Sequence, residues 1–291
     1  MSWLQLHLEA SSDKTELLEN LLLDCGAVSV TLTDNANEPI LEPNVGETPL
    51  WAQVRLSGLF SADTNTDIVL IRLAAAFDHL PKWHWEIVED QPWERLWMEH
   101  YHPIRCGKQL WICPSWCKPP EPDAINLMLD PGLAFGTGSH ATTFLCLQWL
   151  DGLDIKNKTL IDYGCGSGIL AIAAVLLGAR RVVAIDNDPQ ALLATADNAL
   201  HNGIGKDQLL ICSPEQQPPE PADYLVANIL AAPLVKLAEQ ITRSTATGGQ
   251  LCLSGIVTSQ TSTICKSYDK HFEFAPAVNQ DEWVRLVAMK K

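Results

Sequence analysis

The sequence predicts two consecutive units of mixed α/β structure: a ferredoxin-like α+β domain, followed by a Rossmann-like sheet of seven strands. Three observations predict this. The first ninety residues run strand, helix, strand, strand, helix, strand, the order of a split βαβ unit. The stretch Thr159-Leu160-Ile161-Asp162-Tyr163-Gly164-Cys165-Gly166-Ser167-Gly168 reads as a strand entering a glycine turn, and an apolar helix and the strand Val182 to Asp186 follow it. From Thr159 onward, strand and helix patterns alternate, as they do in a parallel sheet covered on both faces.

In the first unit, Leu4, Leu6 and Leu8 keep period two and predict a strand. Ser12 or Asp13 then caps a helix that carries Leu17, Leu18, Leu21 and Leu22 and ends at Gly26. Val28 to Leu32 is a second strand, and Trp51 to Leu59 a third after a proline- and asparagine-rich loop. Asn65 or Thr66 opens a second helix through Ile68, Leu70, Ile71, Leu73 and Phe77, and Trp83 to Val88 closes the set. Pro92 suits a first helical position, and Trp93, Leu96, Trp97 and His100 fall at helical spacing, so a connector helix is expected. The expected organisation is residues 1–89 as a recognition domain, 90–104 as the connector and 105–291 as the second domain.

In the second domain, short strands are expected at 109–113 and 124–129. Further strands are expected at 159–163, 182–186, 208–212, 222–227, 250–256, about 271–275 and 283–289. The last two are joined without a helical pattern, which predicts an antiparallel hairpin at the sheet edge.

The glycine turn points to a nucleoside cofactor, because glycines at alternate positions let backbone approach a ligand where a Cβ would collide. A dinucleotide fingerprint spaces its glycines GxGxxG to rest a pyrophosphate on helix amides. This chain has DxGxGxG. Asp162 ends the strand with a carboxylate, which disfavours a phosphate and favours a cationic amino group or sulfonium, so S-adenosyl-L-methionine fits better than a nicotinamide dinucleotide. Asp186, twenty residues past Gly166, is placed to accept from ribose hydroxyls in either case.

Charge and cysteine usage narrow the class. The chain carries a formal charge of −15, with 17 acidic and 5 basic residues over positions 1–104 and 18 against 15 over the rest. An acidic first third repels nucleic acid and attracts a basic protein partner, although solubility alone also accounts for negative charge. No basic leader followed by an apolar run and no bilayer-length segment is present, so a cytoplasmic protein is expected. The nine cysteines lie largely within strand- and helix-like patterns and predict free thiols. Cys106, Cys113 and Cys117 lack a CxxC pair, and His100 and His102 form a lone HxH, so no metal site is expected.

Two further segments flank the glycine turn: Leu129-Asp130-Pro131-Gly132-Leu133-Ala134-Phe135-Gly136-Thr137-Gly138-Ser139-His140-Ala141-Thr142-Thr143 upstream and Val226-Ala227-Asn228-Ile229-Leu230-Ala231 downstream. In this order, behind an acidic ferredoxin-like domain, they closely resemble the bacterial ribosomal protein L11 methyltransferase family over the whole chain. Ser139 and Ala141 stand where threonine and proline are common in that family. The resemblance implies transfer of methyl groups from S-adenosyl-L-methionine to lysine side-chain and N-terminal amines of L11. It implies cofactor contacts at Thr143, Gly164, Asp186 and Asn228, with Gly166 in the same turn. The expected partner is this basic ribosomal protein, met by a monomer that binds neither membrane nor nucleic acid directly. Asp188, preceding Pro189, is read as a helix cap. His140 is either a proton acceptor or a loop anchor, and no catalytic acid or base is assigned. Transfer to RNA or to a glutamine amide is the nearest alternative, but the acidic first domain and the absence of Asn-Pro-Pro-Tyr at Asn228 disfavour both.

Overall fold

The computed structural model describes residues 2–36, 38, 40, 47–77, 79–89, 101–132, 136 and 138–291. The predicted connector helix falls mostly on 90–100, outside the described residues, as do Leu133, Ala134, Phe135 and Thr137 of the upstream segment. The chain divides into two compact units, Met1–Met98 and Glu99–Lys291.

The first unit contains β1 (Trp3–Ser11), α1 (Thr15–Asp24), β2 (Ser29–Asp34), β3 (Gln53–Ser61), α2 (Thr66–Ala74) and β4 (Trp83–Val88). Its antiparallel sheet has the order β2-β3-β1-β4, the ferredoxin-like arrangement. The period-two leucines decide which face is covered: Leu6 and Leu8 pack with Leu18, Leu22, Leu56, Phe60 and Leu73, while the alternate residues of β1 lie on the open face. Asn65 caps α2 by accepting from the N–H groups of Asp67 and Ile68. The start of α1 differs from expectation. A single 3₁₀ turn, Ser12–Lys14, precedes the helix, so neither Ser12 nor Asp13 is its cap.

The second unit opens with a small sheet of β5 (Ile104–Arg105), β6 (Leu110–Cys113) and β7 (Ile125–Met128). There follow α3 (Ala141–Asp151), β8 (Thr159–Tyr163), α4 (Ile169–Leu176), β9 (Arg181–Ile185), α5 (Pro189–His201), β10 (Leu209–Cys212) and β11 (Ala222–Asn228). The chain continues through α6 (Ala231–Lys236), α7 (Ala238–Ser244), β12 (Thr245–Val257), α8 (Thr261–Tyr268), β13 (Phe272–Phe274), β14 (Val278–Gln280) and β15 (Trp283–Lys290). The large sheet has the order β10-β9-β8-β11-β12-β15-β13, parallel as far as β12, with β15 antiparallel to both its neighbours and β14 paired to β15.

Sequence periodicity missed β14, a three-residue strand within the predicted terminal loop. One face of the large sheet is covered by residues of α3, α4 and α5, the other by residues of α6, α7 and α8. Chain direction across the sheet reverses between β8 and β11, and the crevice at the carboxyl ends of such strands is where open α/β sheets bind ligands.

Candidate cofactor site

The turn after β8 depends on its glycines. Gly164, Gly166 and Gly168 all have positive φ (80°, 55° and 78°), a region that costs an ordinary residue about 1–2 kcal/mol. A Cβ on Gly164 would also run into the side chain of Ile229. The turn is pinned to the neighbouring strand: the N–H groups of Gly164 and Cys165 both donate to Ile185 O, at 2.8 and 3.0 Å. The Gly166 N–H donates to Asp186 Oδ2 at 2.9 Å. The other oxygen of Asp186 accepts from the Asp188 N–H at 3.0 Å, so each carboxylate oxygen keeps lone-pair capacity for a ligand hydroxyl. Asp188 caps α5 by accepting from the Gln190 N–H, with Pro189 at the first helical position.

Asp162 departs from the sequence reading, which placed its carboxylate at the turn. In β8, Leu160 packs on the α4 side of the sheet and Ile161 and Tyr163 on the other, and strand alternation therefore sends Asp162 beneath the first turn of α4. It is fully buried, and its Oδ2 accepts from the Ala171 N–H at 3.0 Å. Burial pushes its carboxyl up to about 7; the Ala171 bond opposes the rise and Asp186 adds to it. Its Oδ1 is buried with no hydrogen-bond partner among the described residues.

The other wall comes from the start of α3 and the end of β11. Thr143 is fully buried in the first turn of α3, and Asn228 Nδ2 donates to its Oγ1 at 3.2 Å. Asn228 Oδ1 is a second buried oxygen with no partner among the described residues. His140 is the cap of α3. Its Nδ1 accepts from the Thr142 N–H at 3.3 Å and lies 2.8 Å from Thr142 Oγ1, and its ring meets Trp283 edge to face at 4.9 Å. Burial lowers its pKa, so the neutral ring is favoured. Ser167 Oγ donates to Gly136 O at 2.7 Å and ties the upstream loop to the glycine turn. Sequence reasoning did not single out Ser167, because its only signal was a small polar residue between two glycines.

Thr143, Gly164, Gly166, Asp186 and Asn228 together line one cavity of about 220 Å³. A second cavity, of about 640 Å³, shares Gly164, Asp186, Asn187 and Ile229 with it and extends along Tyr163 and Pro214. Among the described residues, no lysine or arginine lines the smaller cavity. Lys236 lines the larger cavity, whereas the buried Asn228 oxygen and the Asp186 carboxylate of the smaller one suit a positively charged group there. Ile229 and Pro214 were not predicted as lining residues; they supply the flat apolar surface expected of a nucleoside pocket.

A family model described as ribosomal protein L11 methyltransferase matches residues 2–291. A ribosomal protein L11 methyltransferase from Cellvibrio japonicus is 54% identical over 291 residues, 100% of this chain and 99% of its own. The one from Saccharophagus degradans is 50% identical with both chains fully covered. Among solved structures, a ribosomal protein L11 methylase from Lactobacillus delbrueckii subsp. bulgaricus matches with a TM-score of 0.60 at 35% identity, over 66% of this chain and all of that one.

Proposed function

This chain belongs to the ribosomal protein L11 methyltransferase family, and on that premise we propose that its two contiguous cavities seat S-adenosyl-L-methionine while an amine of L11 enters beside Thr143 and Asn228. The protein is an S-adenosylmethionine-dependent methyltransferase of ribosomal protein L11.

The single observation that carries the reading is the buried Asn228 Oδ1, without a hydrogen-bond partner among the described residues, in a cavity that also exposes the Asp186 carboxylate and the backbone of Gly164 and Gly166. A buried acceptor without a donor costs about 1–3 kcal/mol, and a ligand bearing N–H groups or positive charge relieves that cost. Gly164 and Gly166 admit the ligand against bare backbone, Asp186 accepts from ribose hydroxyls, and Ile229 and Pro214 flank the base. When bound, S-adenosylmethionine supplies a methyl group activated by its sulfonium.

The protein's share of catalysis is placement. Protonated lysine has no lone pair, so the amine must arrive neutral, and a neighbouring cation in a partly dry pocket lowers its pKa. Asn228 Oδ1 accepts an N–H of that amine and fixes the direction of its lone pair, while Thr143 holds the Asn228 amide in register. His140 Nδ1 is engaged at the head of α3, so no side chain is assigned as general base. The acidic first unit grips the basic substrate, and lysine and N-terminal amines are the acceptors. The enzyme works as a cytoplasmic monomer without direct contact to nucleic acid, and among the described residues no helix is long and apolar enough to cross a membrane.

The test is incubation of the purified protein with labelled cofactor and separated ribosomal components, and then intact mass of L11. Mass gained by L11 in single methyl steps at lysines or its N-terminus supports the reading. Label found in RNA alone refutes the protein substrate. Calorimetry distinguishes the cofactor, with binding expected for S-adenosylhomocysteine and none for NADH.

A further inference from the structure

The open face of the N-terminal sheet carries a side-chain cluster that methyl transfer does not use. His7 on β1 stands directly across from His84 on β4, and Glu86, opposite Gln5, lies one pleat along on the same face. One ligand atom from each of the three lies within 4.8 Å of the others. His7 Nε2 is 3.3 Å from Glu86 Oε2, and the two imidazoles stack with centroids 4.6 Å apart at 22°. We propose that His7, His84 and Glu86 form a binding site for a divalent transition-metal ion of the zinc type.

The donor set is two imidazoles and one carboxylate, which suits zinc and its neighbours and not calcium or magnesium, whose sites are built from oxygen. Ser57 on β3, across from His7, supplies the outer contact such sites use. Its hydroxyl is 2.8 Å from His7 Nδ1, so with an ion on Nε2 it would accept the Nδ1 N–H and hold the ring in place. His7 and Ser57 are held on paired central strands and His7 is largely covered, with a side-chain exposure of 14%, so one ligand is preset. His84 and Glu86 are exposed at the edge strand. Ligand atoms around a tetrahedral ion with bonds of about 2.0–2.1 Å sit about 3.3 Å apart, so closure requires only side-chain rotation of those two.

The fourth position faces water. The excess of acid over base in this third of the sequence raises the local cation concentration. Lys82, the nearby cation on β4's approach, pairs with Glu9 instead. The ion would link edge strand β4 to β1.

The experiment uses the full chain, stripped with chelator and titrated with Zn²⁺ by calorimetry and with Co²⁺ by absorption. One ion per chain is expected, bound without a thiolate-to-cobalt charge-transfer band, together with a raised melting temperature. His84→Gln and Glu86→Gln should each weaken binding at least tenfold, and Ser57→Ala tenfold to a hundredfold. Unchanged circular dichroism and S-adenosylhomocysteine affinity certify that the variants are folded. Zinc affinity unchanged in His84→Gln and Glu86→Gln, or a thiolate band showing that cysteines hold the ion, overturns the proposal, as does absence of binding to the native chain.

Discussion

The Asn228 amide donates to the Thr143 hydroxyl across 3.2 Å, joining the end of β11 to the first turn of α3 through residues 85 apart in sequence. The bond fixes the amide, whose Oδ1 is buried without a partner among the described residues and is the acceptor proposed above for an amine of L11. Asn228→Ala should therefore lower kcat/KM about a hundredfold or more, the scale of a lost oriented contact at a reacting centre. Thr143→Val, which lets the amide rotate, should cost roughly tenfold. The double variant should be little worse than Asn228→Ala alone, because both changes disable one unit. Steady-state kinetics on L11 would check this, and additive losses would mean the two residues act separately.

Gly164→Ala should raise the S-adenosylhomocysteine Kd at least tenfold, because the new Cβ meets Ile229 in the wall shared by both cavities. The positive φ adds a stability cost of about 1–2 kcal/mol. Gly203→Ala is the matched control: its φ is +69° and nothing lies within 4 Å of an added Cβ. It should lose similar stability while cofactor affinity stays unchanged. Equal affinity losses in both variants would show that backbone strain, not the cavity wall, is what matters.

What the sequence made legible was local. Leu4, Leu6 and Leu8 announced a strand and its buried face, and the glycines after Tyr163 announced a turn, because period and backbone conformation are properties of neighbouring residues. The pairing of Thr143 with Asn228 was not legible, although each residue was singled out, because it arises only when α3 packs on the sheet. Asp162 was read as facing the ligand at the turn. Strand alternation, which the same sequence implied through Leu160 and Ile161, turns it under α4 instead. The facing of His7 and His84 depends on β1–β4 register, which no short-range pattern encodes.

Asp162 should make stability depend on pH. Its carboxyl is raised by burial from the ordinary 3.8 to about 7. Between these values the folded protein holds a proton that the unfolded chain has released. The stability contributed by this group is therefore fully present below about 3.8 and is lost as pH rises through about 7. Asp162→Asn should then raise the melting temperature of the unliganded protein more at about pH 8 than at about pH 5. Asp162 lines neither cavity, so the variant should keep native S-adenosylhomocysteine affinity. Thermal melts of both proteins at the two pH values would check the pH dependence, and equal gains at both would show that burial does not raise the Asp162 carboxyl.

Separating the two units tests whether the first one recognises substrate. A fragment spanning Glu99–Lys291 keeps β5 with its partner β6 and every residue lining both cavities. It should bind S-adenosylhomocysteine with native affinity while turnover on intact L11 falls by about two orders of magnitude, since the acidic surface that gathers a basic partner is gone. Undiminished turnover would refute a recognition role for residues 1–89.

His140 offers the sharpest test between chemistry and architecture. Its Nδ1 accepts from the Thr142 N–H at the head of α3, one residue before Thr143. Because burial lowers its pKa, the stability it contributes is present above its ordinary 6.5 and is lost as pH falls through the lower folded value, where protonation of Nδ1 ends the cap. His140→Asn restores an accepting cap and should keep most of the activity. His140→Ala should lose about 0.5–2 kcal/mol of stability, the usual cost of a lost cap, and some activity through displaced Thr143. In neither variant should the shape of the pH–rate profile change above neutrality. An acidic limb that vanishes in both, with activity not rescued by asparagine, would instead make His140 the base that takes the amine proton.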